Sequence, residues 1–255
     1  MDAAIVTGAS RGLGRYLAEA LLSPSRIVIA VSRAPAPELA EIAARRNTRL
    51  VTIQADLSEA GAANRVMAVA FTALMEMQPK QLILINNAGQ LGPMAFAGDF
   101  DSDEETAKAL TLNLTTPIQL TNAFIQRAKA KKEATDLRIA QISSGAAMRT
   151  YPGWSVYGAS KAGLDHFTRI ASLEQSGRTN GAKIVSIYPG VIDTDMQASI
   201  RASDPKRFPL QPGFEALHKQ GNLASPQSVA GQVVAYLLSP QFGDEPVVDI
   251  RDLLN

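Results

Sequence analysis

Tyr157 and Lys161, four residues apart in Tyr157-Gly158-Ala159-Ser160-Lys161, are the residues of this 255-residue chain best suited to proton chemistry. On one helix that spacing sets both side chains on the same face. A free phenol loses its proton near pH ~10, and a nearby ammonium favours the phenolate, so the pair predicts a tyrosine tuned to exchange a proton with substrate. Thirteen residues before Tyr157, the segment Ile142-Ser143-Ser144 leaves an apolar run and offers the Ser144 hydroxyl. A lone tyrosine and lysine at this spacing are usually plain helix surface, so the reading needs support from the rest of the chain.

A second group of residues could hold an anion. Thr7-Gly8-Ala9-Ser10-Arg11-Gly12-Leu13-Gly14 follows a short apolar run and opens a helical pattern at Leu13, Leu17, Ala20 and Leu21. A glycine-rich turn from strand to helix brings backbone N–H groups and the positive helix end to a phosphate, and glycine lets the backbone approach a pyrophosphate closely. Gly8, Ser10, Arg11, Gly12, Leu13 and Gly14 are therefore expected at a dinucleotide; the alternative is a tight turn with no ligand. The spacing Gly-x3-Gly-x-Gly differs from the common G-x-G-x-x-G. The second apolar run ends in Val31-Ser32-Arg33, where an NAD enzyme usually carries an acid for the ribose 2′-hydroxyl. Arg33 and Arg11 suit a 2′-phosphate instead, because a planar guanidinium can grip its oxygens in pairs, and NADP(H) is the expected cofactor. Asp56, in Ala55-Asp56-Leu57-Ser58, either accepts a hydrogen bond from an adenine amino group or caps a helix. Asn86-Asn87-Ala88-Gly89 is small enough for the backbone to pass close to a cofactor, and a plain turn would use similar residues.

These residues sit at the ends of a regular series of elements. Short apolar runs at Ala3–Val6, Ile27–Val31, Leu50–Ile53, Leu82–Ile85, Arg138–Ile142, Ile184–Ile187 and Val247–Ile250 alternate with longer amphipathic stretches. That rhythm predicts a parallel sheet with helices on both faces, its strands buried on both sides. No linker or repeat divides the chain, so one domain over 1–255 is expected. Arg127–Arg138, with Lys129, Lys131, Lys132 and Glu133, reads as a solvated helix end and its loop. Asp193–Ser225 holds Pro205, Pro209 and Pro212 and reads as a loop with short helical pieces, of the kind that serves as a substrate lid.

Composition narrows the function classes. With 46% hydrophobic and 19% charged residues the chain is a packed globular protein, and a net charge of +1 supplies no field for nucleic acid or an anionic membrane. The absence of cysteine and the presence of two histidines, His166 and His218, point to no metal site. No apolar run approaches the ~20 residues of a membrane helix, and the first strand begins too near Met1 for a signal peptide, so a cytoplasmic protein is expected.

Taken together with Asn113 in Leu112-Asn113-Leu114 and with Pro189-Gly190, these motifs make the chain resemble the short-chain dehydrogenase/reductase family from Thr7 to Val248-Asp249. The resemblance implies an α/β, Rossmann-type, doubly wound parallel sheet of seven strands in a three-layer α/β/α fold, assembled as a homodimer or homotetramer. It implies that Tyr157 is the general acid in carbonyl reduction, that Ser144 polarises the carbonyl, and that Lys161 binds the nicotinamide ribose and lowers the Tyr157 pKa. Asn113 would sit on a long helix and hold a water linking Lys161 to solvent. Leu57, Asn87, Ala88, Gly89, Pro189 and Gly190 would line the cofactor, with the Ile192 backbone and Thr194 hydroxyl fixing the carboxamide.

Within the family the chain is similar to the sepiapterin reductase and bacterial benzil reductase group, in Asn86-Asn87-Ala88-Gly89-Gln90-Leu91-Gly92, Gly153-Trp154-Ser155-Val156-Tyr157 and Asp193-Thr194-Asp195-Met196-Gln197. The implied activity is NADPH-dependent reduction of a small ketone, diketone or pterin side-chain carbonyl. A 3-oxoacyl-thioester reductase or a sugar-alcohol or steroid dehydrogenase would use the same catalytic residues, and an NADP-binding regulator is the reading from another class. Leu91, Met94, Met148, Tyr151, Trp154, Met196 and Phe208 are candidate pocket walls or simply core. Asp249 either anchors a polar substrate, as the resemblance suggests for a pterin, or is a strand-end aspartate bonded to nearby backbone.

Overall fold

The computed structural model describes residues 1–130 and 136–254. Each apolar run becomes a strand: β1 (Asp2–Thr7), β2 (Arg26–Ser32), β3 (Arg49–Gln54), β4 (Gln81–Asn86), β5 (Asp136–Ile142), β6 (Lys183–Tyr188) and β7 (Val247–Asp249). All pair in parallel in the order β3-β2-β1-β4-β5-β6-β7. The winding reverses between β1 and β4, and at such a reversal the loops leaving the strands diverge and open a crevice at the C-terminal edge. The register pairs Val6 with Ile85 and Ile142 with Ile187, so the glycine turn, Asn87, Ser144 and Pro189 all leave the sheet along that edge.

Alternation along the strands divides the core. Ala4, Val6, Val28, Ala30, Ile83 and Ile85 face α1 (Gly12–Leu21), α2 (Pro37–Arg45) and α9 (Pro226–Leu238). Ala3, Ile5, Ile27, Ile29, Leu82 and Leu84 face α3 (Ala62–Ala73), α5 (Thr116–Ala130) and α6 (Ser155–Ser176). Burying each of the larger aliphatic side chains contributes about 1.5–3 kcal/mol, so a sheet covered on both sides is favoured over an open one. The strands are buried on both faces except at the two edges of the sheet: in β7 Val248 alone is buried, and in β3 Ile53 alone. The edge position of β3 suits its sequence, Arg49-Leu50-Val51-Thr52-Ile53-Gln54, which already alternates polar residues into the apolar run.

Two departures from regular helix bear on the site. Between α4 (Asp103–Leu110) and α5 the chain makes one π-helical turn, Thr111–Thr115, so the long helix expected around Asn113 is interrupted at that residue. Residues 193–225 contain α7 (Asp195–Arg201) and α8 (Gln211–Lys219) joined by proline-rich loops, as their composition predicts. Of the basic segment Arg127–Arg138, Lys129 is exposed at the end of α5, and Lys131, Lys132 and Glu133 lie outside the described residues. Arg138 departs from the expected solvated segment. It is buried on β5, where Nη1 donates to the carbonyls of Leu237 and Ser239 at 2.7 Å each and Nε bonds Asp136 at 2.9 Å. It ties the C-terminal end of α9 to the sheet, supplying donors to carbonyls that a helix end leaves open. Arg138→Ala takes the donor from those carbonyls while Asp136 keeps its bond from Gln81 at 2.8 Å, so the expected loss is about 1–3 kcal/mol in urea unfolding; an unchanged unfolding midpoint would rule out this tie.

Candidate active site

Tyr157 and Lys161 lie in the first two turns of α6, on its sheet-facing side, at 7% and 5% exposure. Lys161 Nζ donates to the Ile142 carbonyl at the end of β5 at 2.8 Å and lies 5.8 Å from the centre of the Tyr157 ring. Burial pulls the ammonium down to about 8, against the charge of Asp165. Burial pushes the Tyr157 phenol up, and the neighbouring Ser144 hydroxyl opposes that shift. The Lys161 ammonium is turned to the Ile142 carbonyl rather than to the phenol oxygen, so burial and Ser144 are what act on the phenol. Ser144 leaves β5 in extended backbone, and its Oγ accepts the Ala146 N–H at 3.2 Å.

Asn113 is fully buried on the π turn, a device that re-aims one side chain within a helix. Its Nδ2 donates to the Gln90 carbonyl at 2.7 Å and to Ser160 Oγ at 3.2 Å, and its Oδ1 accepts from Gln90 N at 2.9 Å. The amide clamps the loop after β4 against α6. Gly89 lies in the gap, since a Cβ there would stand 3.1 Å from Asn113 Oδ1 and 3.8 Å from Lys161 Nζ.

The glycine turn is braced from β4. Thr7 Oγ1 accepts the N–H groups of Asn87 and Ala88 at 2.9 and 3.1 Å, and Asn87 Nδ2 donates to the Thr7 carbonyl at 2.9 Å. Gly8 has φ of +69°, which disfavours other residues, and a Cβ on Gly14 would meet the Gly8 carbonyl at 2.1 Å and Asn87 Nδ2 at 2.3 Å. At Gly12 a Cβ would stand in the opening toward Thr194, at 3.6 Å. Arg11 precedes α1 in extended backbone, and its side chain makes no cap, so the helix N–H groups remain available to an anion. Leu13 is buried under this turn and Ser10 is half-buried beside it.

The remaining expected cofactor residues flank this opening. Arg33 is exposed at the end of β2. Arg11 pairs with Asp195 at 3.1 Å at the surface, both side chains being exposed. The Asp56 carboxylate accepts from Ser58 N at 2.9 Å and Ser58 Oγ at 2.7 Å, closing an Asx turn ahead of α3, whose own cap is Gly61, and these bonds hold its pKa down. Leu57 is buried, with its carbonyl bonded to Thr116 Oγ1 at 2.7 Å. Past β6, Pro189 leads to Gly190 at φ of +80°, Ile192 bridges to Ala224, and Thr194 caps α7 through Gln197 N at 3.4 Å.

Beside Tyr157 lies an aromatic cluster. Trp154 is 5.3 Å from the Tyr157 ring, stacks on Phe208 at 4.8 Å and 27°, and touches Tyr151 and Phe214 edge-on or tilted. Leu91, Met94 and Met196 pack against the same group, and Met148, at 70% exposure, does not. Phe208 and Phe214 come from the 193–225 segment, which therefore covers the tyrosine. Asp249 is engaged elsewhere: Arg251 donates to it from backbone N at 3.1 Å, Nε at 2.8 Å and Nη2 at 2.5 Å. Those bonds hold its carboxyl below the usual range and match the strand-end alternative. Taken together, the geometry gathers a phenol O–H, a hydroxyl and a fixed ammonium beside an aromatic cluster, a set able to hold an oxygen and give it a proton.

The short chain dehydrogenase family model matches residues 2–205. The chain belongs to the short-chain dehydrogenase family. Benzil reductase ((S)-benzoin forming) of Bacillus subtilis is 35% identical over the whole of both chains. Bovine sepiapterin reductase is 29% identical over 97% of this chain and 94% of its own. Among solved structures, an NAD(P)-dependent dehydrogenase of Beutenbergia cavernae with bound NADP is 26% identical and superposes with a TM-score of 0.79, covering 98% of this chain and 94% of that one. The short-chain dehydrogenase is thus an oxidoreductase with the seven-stranded fold of its relatives.

Sequence reasoning on this dehydrogenase missed the brace at Thr7 and the Asp165 carboxylate. Both act through partners distant along the chain, and only the spacing of Asp165, four residues after Lys161, carried a signal. Among the described residues no helix is long and apolar enough to cross a membrane, and no group of three His, Asp or Glu could hold a metal. In this dehydrogenase Gly14→Ala drives a methyl into backbone, and overpacking of that kind costs about 1–3 kcal/mol or more. A drop of several degrees in thermal melting is expected; a wild-type melting curve would mean the turn has room it does not display.

Proposed function

We propose that this short-chain dehydrogenase is an NADPH-dependent carbonyl reductase acting on small aromatic ketones and α-diketones. The observation that carries this reading is the meeting of Tyr157, Ser144 and Lys161 with the Trp154 cluster at the C-terminal edge of β4 and β5, next to the glycine turn. The names of its relatives, benzil and sepiapterin reductases, support the substrate class. The binding of Asp249 by Arg251 favours the diketone over the pterin, because a pterin anchor needs a free carboxylate.

The glycine turn fits a dinucleotide: the uncapped start of α1 offers N–H groups, Gly12 leaves the opening toward Thr194 clear, and Gly8 and Gly14 let the turn close on Asn87. Gly8, Ser10, Gly12, Leu13 and Gly14 would hold the diphosphate, Arg11 and Arg33 the 2′-phosphate, Asp56 and Leu57 the adenine, and Asn87, Ala88 and Gly89 the ribose side. Pro189, Gly190, Ile192 and Thr194 would hold the nicotinamide end. NADPH, when bound, supplies the hydride. Ser144 holds the carbonyl oxygen, and Tyr157 gives it the proton as negative charge develops. A phenol raised by burial keeps that proton at neutral pH, which suits an acid in the reductive direction. Lys161 binds ribose and stabilises the phenolate left after transfer. The 193–225 segment excludes water from this step. We also read the protein as a homodimer or homotetramer, because the exposed Ile170 and Leu173 of α6 adjoin a groove lined by Ile118, Ile125 and Phe167.

A substrate panel at fixed NADPH, with benzil, sepiapterin, an acetoacetyl thioester and secondary alcohols run with NADP, tests the reading. Benzil-type diketones are expected to give the highest kcat/KM; the highest value on the thioester or an alcohol refutes it. Tyr157→Phe is expected to lower kcat at least ~100-fold, the usual contribution of a positioned acid, with NADPH affinity within a few-fold; a variant with wild-type kcat excludes Tyr157 as the acid. Replacing Arg11 and Arg33 together by Ala removes charge-assisted bonds worth about 1.5–3 kcal/mol each, so NADPH binding should weaken by more than ~100-fold. NADH binding should barely change, and an equal loss for both cofactors contradicts the 2′-phosphate role.

A further inference from the structure

One turn beyond Lys161 on the same face of α6 stands Asp165, at 6% exposure. A carboxylate buried this deeply is costly unless hydrogen-bonded. Here β6 supplies two neutral donors: Ser186 Oγ donates to Oδ1 at 2.5 Å, and the Tyr188 hydroxyl donates to Oδ2. Tyr188 is itself raised, by burial first and by Asp165 second, so it keeps its proton and stays a donor at any working pH. Asp165 is thus stabilised by hydroxyls rather than by a cation in contact with it, and its charge is felt by whatever shares the low-dielectric interior.

What shares it is Lys161. From other elements the ammonium meets the Ile142 carbonyl at the end of β5 and lies beside the Gly89 backbone after β4, both uncharged. From α6 itself come Tyr157, neutral, and Asp165. Around Asp165 stand Ser186 and Tyr188 from β6 and exposed Arg169 from the next turn of α6, with Asp249 of β7 acting on Tyr188 from beyond. Among the described residues Asp165 is the one opposite charge acting on Lys161.

We propose that Asp165 is a positioning residue: a buried carboxylate, fixed to the sheet through Ser186 and Tyr188, that keeps Lys161 charged where the closed site strips it of water. This rests on the reading of Lys161 as the partner of ribose and phenolate, since only a charged side chain serves either. The hydroxyls of β6 thereby reach the chemistry at one remove.

The test reads Lys161 directly, by NMR of protein carrying lysine labelled with 13C at Cε, with the signal assigned by Lys161→Arg. In the wild type the signal should titrate near 8; in Asp165→Asn the midpoint should fall by roughly one unit, a tenfold change in proton affinity. Because reduction needs the ammonium, the alkaline fall of kcat at saturating NADPH should move to lower pH by the same amount. Asp165→Glu should restore both. Tyr188→Phe and Ser186→Ala each remove one donor that stabilises the buried carboxylate, so they should lower the Lys161 midpoint in the same direction and by less than Asp165→Asn. If the asparagine variant does not fold, Asp165→Ser, which can still bond Tyr188, carries the same comparison. An unmoved Lys161 midpoint, or a kcat reduced by one factor at every pH, overturns the proposal. A shifted midpoint in a protein that reduces no carbonyl refutes the reductase reading and leaves the role of Asp165 standing.

Discussion

Two loops that leave neighbouring strands must come close enough to touch across the small Thr7 and Asn87 side chains. The turn after β1 and the turn after β4 meet at Gly8, Gly14 and Asn87, and the Thr7 hydroxyl holds the contact by accepting two N–H groups from the β4 turn. Much of the molecule is set by this closeness. It fixes where α1 starts, and so how α1 lies against α9. It fixes the path of Gly89 and Gln90, which Asn113 then clamps from the π turn, and Asn113 in turn bonds Ser160 one residue before Lys161. A chain of contacts thus runs from the glycine turn to the catalytic helix through backbone that has little freedom to shift.

Beyond that contact the site is governed by dryness. Burial raises the Tyr157 phenol and depresses Lys161, and both shifts favour the neutral forms. A neutral phenol suits an acid, whereas a neutral amine does not suit a partner for ribose and phenolate. The aromatic cover that excludes water therefore works with one member of the pair and against the other, which is where a buried counter-charge gains importance.

What could be read from the chain were the features whose cause is local. Strand positions followed from short runs rich in Ile, Val, Leu and Ala, the turn from three glycines, and the shared face of Tyr157 and Lys161 from a four-residue step. The failures share another origin. Arg138 turns into the interior, because the Leu237 and Ser239 carbonyls, distant in sequence, capture it. Met148 is apolar and exposed, which no periodicity distinguishes from an apolar pocket wall. The π turn at Asn113 inserts no residue type that marks it, since Thr-Leu-Asn-Leu-Thr suits an ordinary helix equally well. Phe214 entered the aromatic cluster unforeseen, as part of a segment read only as proline-broken loop.

The stack of Phe208 on Trp154 means that the chain carries its own competitor for the tryptophan face. A flat ring arriving there exchanges one aromatic contact for another instead of filling a void, so the apolar area it newly removes from water is smaller than its size suggests. Affinity gained by mere greasiness is thereby reduced, and preference among incoming molecules shifts toward those that, besides the ring, present an oxygen to Tyr157 and Ser144, which Phe208 cannot do.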